Sequence, residues 1–173
     1  MRRLALMLMV LVATSSAVSC GSGGTDSGSS TSPSTTTVAS DPRAQLEDAV
    51  REAVEHDHRD AVRSLWTNRV PAHPAATGGP ALAQWRRSVA TRARRGIRVR
   101  TLSQRFWVVS IRLHPSYERA IVVVADDQRV QPSHRNGKPI GRSVVLHERA
   151  RLELRRVGRS ERFVVWTVEG LRR

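Results

Sequence analysis

From Pro42 to Trp66 the apolar residues recur at helical spacing: Leu46, Ala49, Val50, Ala53 and Val54, then Ala61, Val62, Leu65 and Trp66. Asp41 is a good N-cap, and Pro42 suits the first helical position, where its missing N–H costs nothing. His56-Asp57-His58 interrupts the stripe, which predicts two helices broken near Asp57. Pro71, Pro74, Gly78 and Gly79 mark a loop. Pro80 then opens a third helix with Leu82, Trp85, Val89 and Ala93 on one face, closed by Gly96. Beyond Gly96 the period changes to two. Trp107, Val109, Ile111 and Leu113 alternate in a first strand over 97–113, and His114-Pro115-Ser116 turns the chain. A second strand runs over 119–130, and Asn136-Gly137 is a strong turn signal after it. In the third strand, over 142–157, Val144, Leu146, Ala150, Leu152 and Leu154 share one face, while His147, Arg149, Arg151, Glu153 and Arg155 share the other. Gly158-Arg159-Ser160 leads into a last strand over 162–169. Helices first and an antiparallel meander afterwards make an α+β protein, with about three N-terminal helices packed on a curved sheet of four or more strands.

The first forty residues carry a different signal. Met1-Arg2-Arg3 is a positive start, Leu4 to Ala13 is apolar, and small residues then lead to Cys20, the only cysteine of the 173 residues. The apolar run is well short of the roughly 20 residues that span a bilayer, so a removed signal over 1–19 is expected rather than a membrane helix. Ala17-Val18-Ser19-Cys20 resembles the lipobox of bacterial lipoproteins, with alanine where leucine is commonest. That resemblance implies cleavage before Cys20, lipidation of its thiol, and a location on the outer face of the cytoplasmic membrane. The other reading is a plain secretory signal cut near Ser19 or Cys20. Residues 20–40 are almost wholly Gly, Ser and Thr and cannot bury enough apolar surface to fold. As a coil they would span roughly 25 Å, which lifts a domain over 41–173 clear of the headgroups.

Charge changes the picture of partners. The chain carries +14 formally, nearly all from arginine, since Lys138 is the only lysine. Residues 41–85 hold five arginines against seven acids, whereas residues 86–173 hold 22 basic residues against seven acids. A basic outer strand face bearing Arg149, Arg151 and Arg155 would be drawn to anionic lipid or wall polymer. An envelope protein is a further candidate partner. Nucleic acid is not expected, because basicity alone supports it and an exported location argues against it.

With helices followed by a meander, Glu55-His56-Asp57-His58-Arg59-Asp60-Ala61-Val62-Arg63-Ser64-Leu65-Trp66 resembles the second-helix pattern of the nuclear transport factor 2-like superfamily, which includes SnoaL-like domains. The final hairpin, from Gly158 through Phe163-Val164-Val165 or Trp166-Thr167-Val168, is similar to the end of those domains. The resemblance implies a cone of curved sheet closed by helices. Many members of that superfamily bind without catalysing; others are dehydratases or isomerases with acids, His or Tyr inside the cone.

Glu148 is the sharpest candidate for chemistry, because it interrupts the apolar row from Val144 to Leu154. Pointed inward, it would be a desolvated carboxyl able to act as a general base. Paired with an arginine at the rim, or turned outward by a bulge, it would be a surface residue, and that reading is preferred. Asp57 is expected to break or cap a helix. His56-x-His58 lacks the further ligands of a metal site, and His73, His114 and His134 sit in loops without ligand spacing. Tyr117, the sole tyrosine, lies in a turn. No nucleophile-elbow, Walker or dinucleotide glycine motif is present. The sequence therefore predicts a lipid-anchored, non-catalytic binding domain with no metal or cofactor, and as its alternative a small dehydratase- or isomerase-type enzyme using Glu148.

Overall fold

The structure, a computed structural model, describes residues 41–158 and 162–171. The signal over 1–19, the linker over 20–40 and the lipidation candidate Cys20 lie outside the described residues. Two helices, α1 (Pro42–Thr67) and α2 (Gly79–Arg94), precede four strands: β1 (Ile97–Leu113), β2 (Arg119–His134), β3 (Val144–Arg156) and β4 (Phe163–Gly170). The strands form one antiparallel sheet in the order β1-β2-β3-β4.

Two expectations are corrected. The helix break near Asp57 does not occur: α1 runs unbroken for 26 residues, so the domain has two helices and not three. The reason lies in the spacing. Val54, Asp57, His58, Ala61 and Leu65 are three or four apart and therefore share one side of a continuous helix. The polar residues there do not end the helix, because each has something to meet on the covered side. Asp57 accepts a hydrogen bond from the Thr77 hydroxyl. His58 stacks on Phe106 with ring centroids 3.7 Å apart. Nor do the elements form the expected cone, since the walls are two helices laid on one face of a meander sheet.

The caps follow their chemistry. The Asp41 carboxylate accepts the Arg43 N–H at 2.9 Å, and Pro42 opens α1. At the other end Asn68 takes a left-handed conformation (φ 52°), donates its backbone N–H to the Ser64 carbonyl, and ties α1 to β1 through its side-chain amide at the Ile97 carbonyl, 2.8 Å away. The segment before α2 docks on the edge of β4: Val165 donates to the Ala76 carbonyl at 2.8 Å, and Gly78 donates to the Val165 carbonyl at 2.9 Å.

The main core joins Leu46, Val50 and Val54 of α1 to Val122, Val124, Ala150, Leu152 and Leu154 of the sheet. A smaller cluster of Leu65, Val99 and Val130 closes the other end. β1 departs from the expected alternation. A bulge between Val108 and Ser110 adds one residue, so the inward row is Phe106, Val108, then Ile111 and Leu113. Trp107 and Val109, expected beside Ile111 on the covered face, are instead 37 % and 43 % exposed. In β3 the alternation is as the sequence implies, with Ala150, Leu152 and Leu154 buried and Arg149 and Arg151 exposed.

Candidate functional site

Between the two apolar clusters the inner face of the sheet turns polar. The register sets Phe106, Asp126 and Glu148 side by side on β1, β2 and β3, and sets Gln104, Gln128 and Leu146 in the next inward row. Asp126 is 1 % exposed and Gln128 2 % exposed. Gln104 donates its amide to both Asp126 oxygens, at 2.7 and 3.0 Å, and Gln128 donates to Oδ2 at 3.4 Å. The Gln104 amide also lies 3.5 Å from the His58 Nε2.

Above this band lies a cavity of about 110 Å³. Phe106, Val124, Asp126, Leu152 and Val168 form its floor. One wall is the α1 side carrying Val54, Asp57, His58, Ala61, Ser64 and Leu65; the other is the α2 side carrying Ala81, Gln84, Trp85, Ser88 and Arg92. Both sets follow a three-to-four spacing, so each helix presents one mixed polar and apolar face to the cavity. Thr77 and Asp57 close one end. Across the middle, the Trp85 indole N–H donates to the Ser64 hydroxyl at 2.9 Å, and that hydroxyl donates in turn to the Ala61 carbonyl.

Burial drives the electrostatics. Desolvation pushes the Asp57 carboxyl up to about 7, and the Thr77 hydrogen bond opposes this only in part. Asp126 also rises to about 7, first from desolvation, then from Glu148 facing it across the strands. Glu148 itself rises to about 7 through burial. The Glu148 carboxylate, one register position across the strands, adds to the cost of ionising Asp126. His58 is pushed the other way, to about 3, and is neutral at ordinary pH. Burial also lowers the Arg92 guanidinium.

Glu148 is half-buried and in the inward row, because the β3 irregularity falls at Glu153/Leu154 and leaves its direction unchanged. It is not a lining residue of the cavity; its neighbour Asp126 is. The ion pairs among the described residues join Arg43 to Glu47, His56 to Asp60, His147 to Asp127 and Arg155 to Glu153, so no arginine holds Glu148 there. Of the basic strand residues, Arg149 and Arg151 face outward and are exposed. Arg155 is already engaged, pairing with Glu153 at 3.0 Å and stacking over Trp166 at 4.7 Å. Sequence reasoning missed Asp126, Gln128 and Arg92. The signal for the first two was available: Val122, Val124, Asp126, Gln128 and Val130 lie in one period-two row, the same interruption that marks Glu148.

No group of three or more His, Cys, Asp or Glu among the described residues is placed to hold a metal ion. No helix among them is long and apolar enough to cross a membrane. No family model and no curated protein matches the chain. Among solved structures, the chain is similar to the intermembrane space region of the chloroplast protein ARC6, with a TM-score of 0.55 and 16 % identity over 72 % of this chain and 95 % of that one. At that identity the likeness is one of fold.

Proposed function

We propose that the protein is a lipid-anchored, extracytoplasmic binding domain whose cavity between α1, α2 and the sheet takes a small ligand. The observation that carries this reading is the cavity itself. It is large enough to admit a small molecule, is walled mostly by apolar side chains, and gathers Asp57 and Ser64 of α1, Arg92 of α2 and Asp126 of β2. The tether rests on the Ala17-Val18-Ser19-Cys20 run. The outward face with Arg149 and Arg151 would lie toward anionic lipid or wall polymer. Native mass spectrometry of the protein released from its own membrane should find one small molecule per chain. Ala61→Phe, which fills the cavity, should abolish that adduct. A folded Ala61→Phe protein that keeps the same adduct would place the ligand elsewhere. Intact mass of the membrane fraction should show loss of residues 1–19 and a diacylglyceryl group, and Cys20→Ala should end membrane retention. A soluble, unmodified wild type would remove the tether from the proposal.

One observation favours a second reading. Asp126 and Glu148 face each other across β2 and β3 with carboxyls near neutrality, and Asp126 borders the cavity. Such a pair could move a proton to or from a bound ligand, in a dehydratase or isomerase. Its mark would be exchange of a ligand C–H with heavy water by the wild type and not by Asp126→Asn.

A further inference from the structure

We infer that the Arg92 side of the cavity is an anion subsite, and that its ligand is a small carboxylic acid with an apolar body. The inference rests on the cavity being a ligand site and names the ligand's chemistry. Arg92 lines the cavity, and its Nε and Nη2 are shielded from solvent yet donate to no acceptor among the described residues. These two nitrogens form one edge of the guanidinium. A carboxylate meets that edge with two parallel N–H···O bonds, a fit that lysine cannot reproduce. A guanidinium edge shielded from water without an acceptor is unfavourable, so an acceptor brought by a ligand would relieve it.

The rest of the cavity decides the ligand's other end. Its acids are turned to other partners, Asp57 to Thr77 and Asp126 to Gln104 and Gln128. Asp57 meets Thr77 just ahead of the start of α2, whereas Arg92 sits in the last turn of that helix. An acid is therefore oriented with its head at Arg92 and its body over Trp85 and Leu65. Size sets the body. A cavity of roughly 150 Å³ lined by aliphatic groups admits benzene, and this one, about 110 Å³, suits one ring or a short chain. Binding requires the guanidinium to turn its shielded edge into the cavity.

Benzoate, its neutral isostere benzamide and the cation benzylamine test this by calorimetric titration of the full chain, with inorganic phosphate as a headgroup without a body. Benzoate should bind about tenfold tighter than the other three, the worth of one charge-assisted pair. Arg92→Gln should erase that preference and leave benzamide binding unchanged, and Arg92→Lys should restore only part of it. Without ligand, Arg92→Gln should melt no lower than wild type, because it removes a charge that nothing pairs. A lower melting temperature would give Arg92 a structural role and overturn the inference. Equal binding of benzoate and benzamide would overturn it while leaving the cavity a ligand site. Preference for benzylamine would do the same and assign recognition to Asp57 and Asp126. Phosphate binding as tightly as benzoate would refute the apolar body. Failure of all four probes to bind would refute both this inference and the cavity as a ligand site.

Discussion

Replacing Asp126 by asparagine should stabilise the domain increasingly as pH rises. Asp126 is 1 % exposed, is flanked by Glu148, and is raised from an ordinary value near 3.8 to about 7. A carboxyl whose folded value lies above its unfolded value binds more protons in the native state between those two values. Stability therefore falls as pH climbs from about 4 to about 7, and the loss is complete above that. At about 1.4 kcal/mol per pH unit, the interval from 3.8 to 7 comes to roughly 4 kcal/mol, an upper figure because Gln104 and Gln128 solvate the charged form. Asparagine carries no such dependence. It also fits the hydrogen bonding, since the Gln104 Oε1 is buried without a partner and a flipped Gln104 could accept from the new amide. Thermal melts of wild type and Asp126→Asn at pH 4, 6 and 8 should show near-equality at the lowest pH. The variant's advantage should then widen to an order of 10 °C at the highest. A constant gap across that range, or a variant that loses ground as pH rises, would refute a desolvated Asp126.

Gly79→Ala should be strongly destabilising, by about 2 kcal/mol or more. Gly79 has φ +47°, and an added Cβ would lie 2.6 Å from Cε2 of the Trp166 ring; denaturant melts measure the loss. Ser64→Ala should cost about 1–3 kcal/mol by orphaning the Trp85 indole N–H, and should shift the emission of that tryptophan, read against a Trp85→Phe control. Charge reversal at Arg149 and Arg151, both exposed, should weaken binding to anionic vesicles at low salt without changing the melting temperature. Binding that ignores both salt and the substitutions would show that this face is not the contact.

How much of this was legible in the sequence depends on which signals are local. Gly96 and the Asn136-Gly137 turn stand where expected, with φ +65° at Gly96 and +85° at Gly137, because turn chemistry is set by a few neighbouring residues. The β3 alternation was legible for the same reason. The break in α1 was misread because polar residues on an apolar stripe look like a helix stop when the opposing surface is unknown. His58 is accommodated on the covered side of the helix by Phe106, 48 positions later, which offers a ring to stack on. The inward row of β1 was misread at Val108/Ser110, where one extra residue reverses the faces and leaves no mark in a pattern of consecutive apolar side chains.

The polar residues on apolar positions argue for function by where they meet. Asp57 lies on the inner stripe of α1, Arg92 on that of α2, Asp126 and Gln128 on the inward row of β2, and Glu148 on that of β3. Several alone have an ordinary explanation: a capping acid, a surface arginine, a rim glutamate. Stability gives no reason to keep them, because each carries a desolvation cost that leucine or valine would not. Independent surface accidents would also scatter over the fold. Asp57, Arg92 and Asp126 instead border one cavity, with Gln128 and Glu148 beside Asp126. The fold breaks its own packing rule on both helices and two strands at one place, and that is the pattern a ligand site there would require.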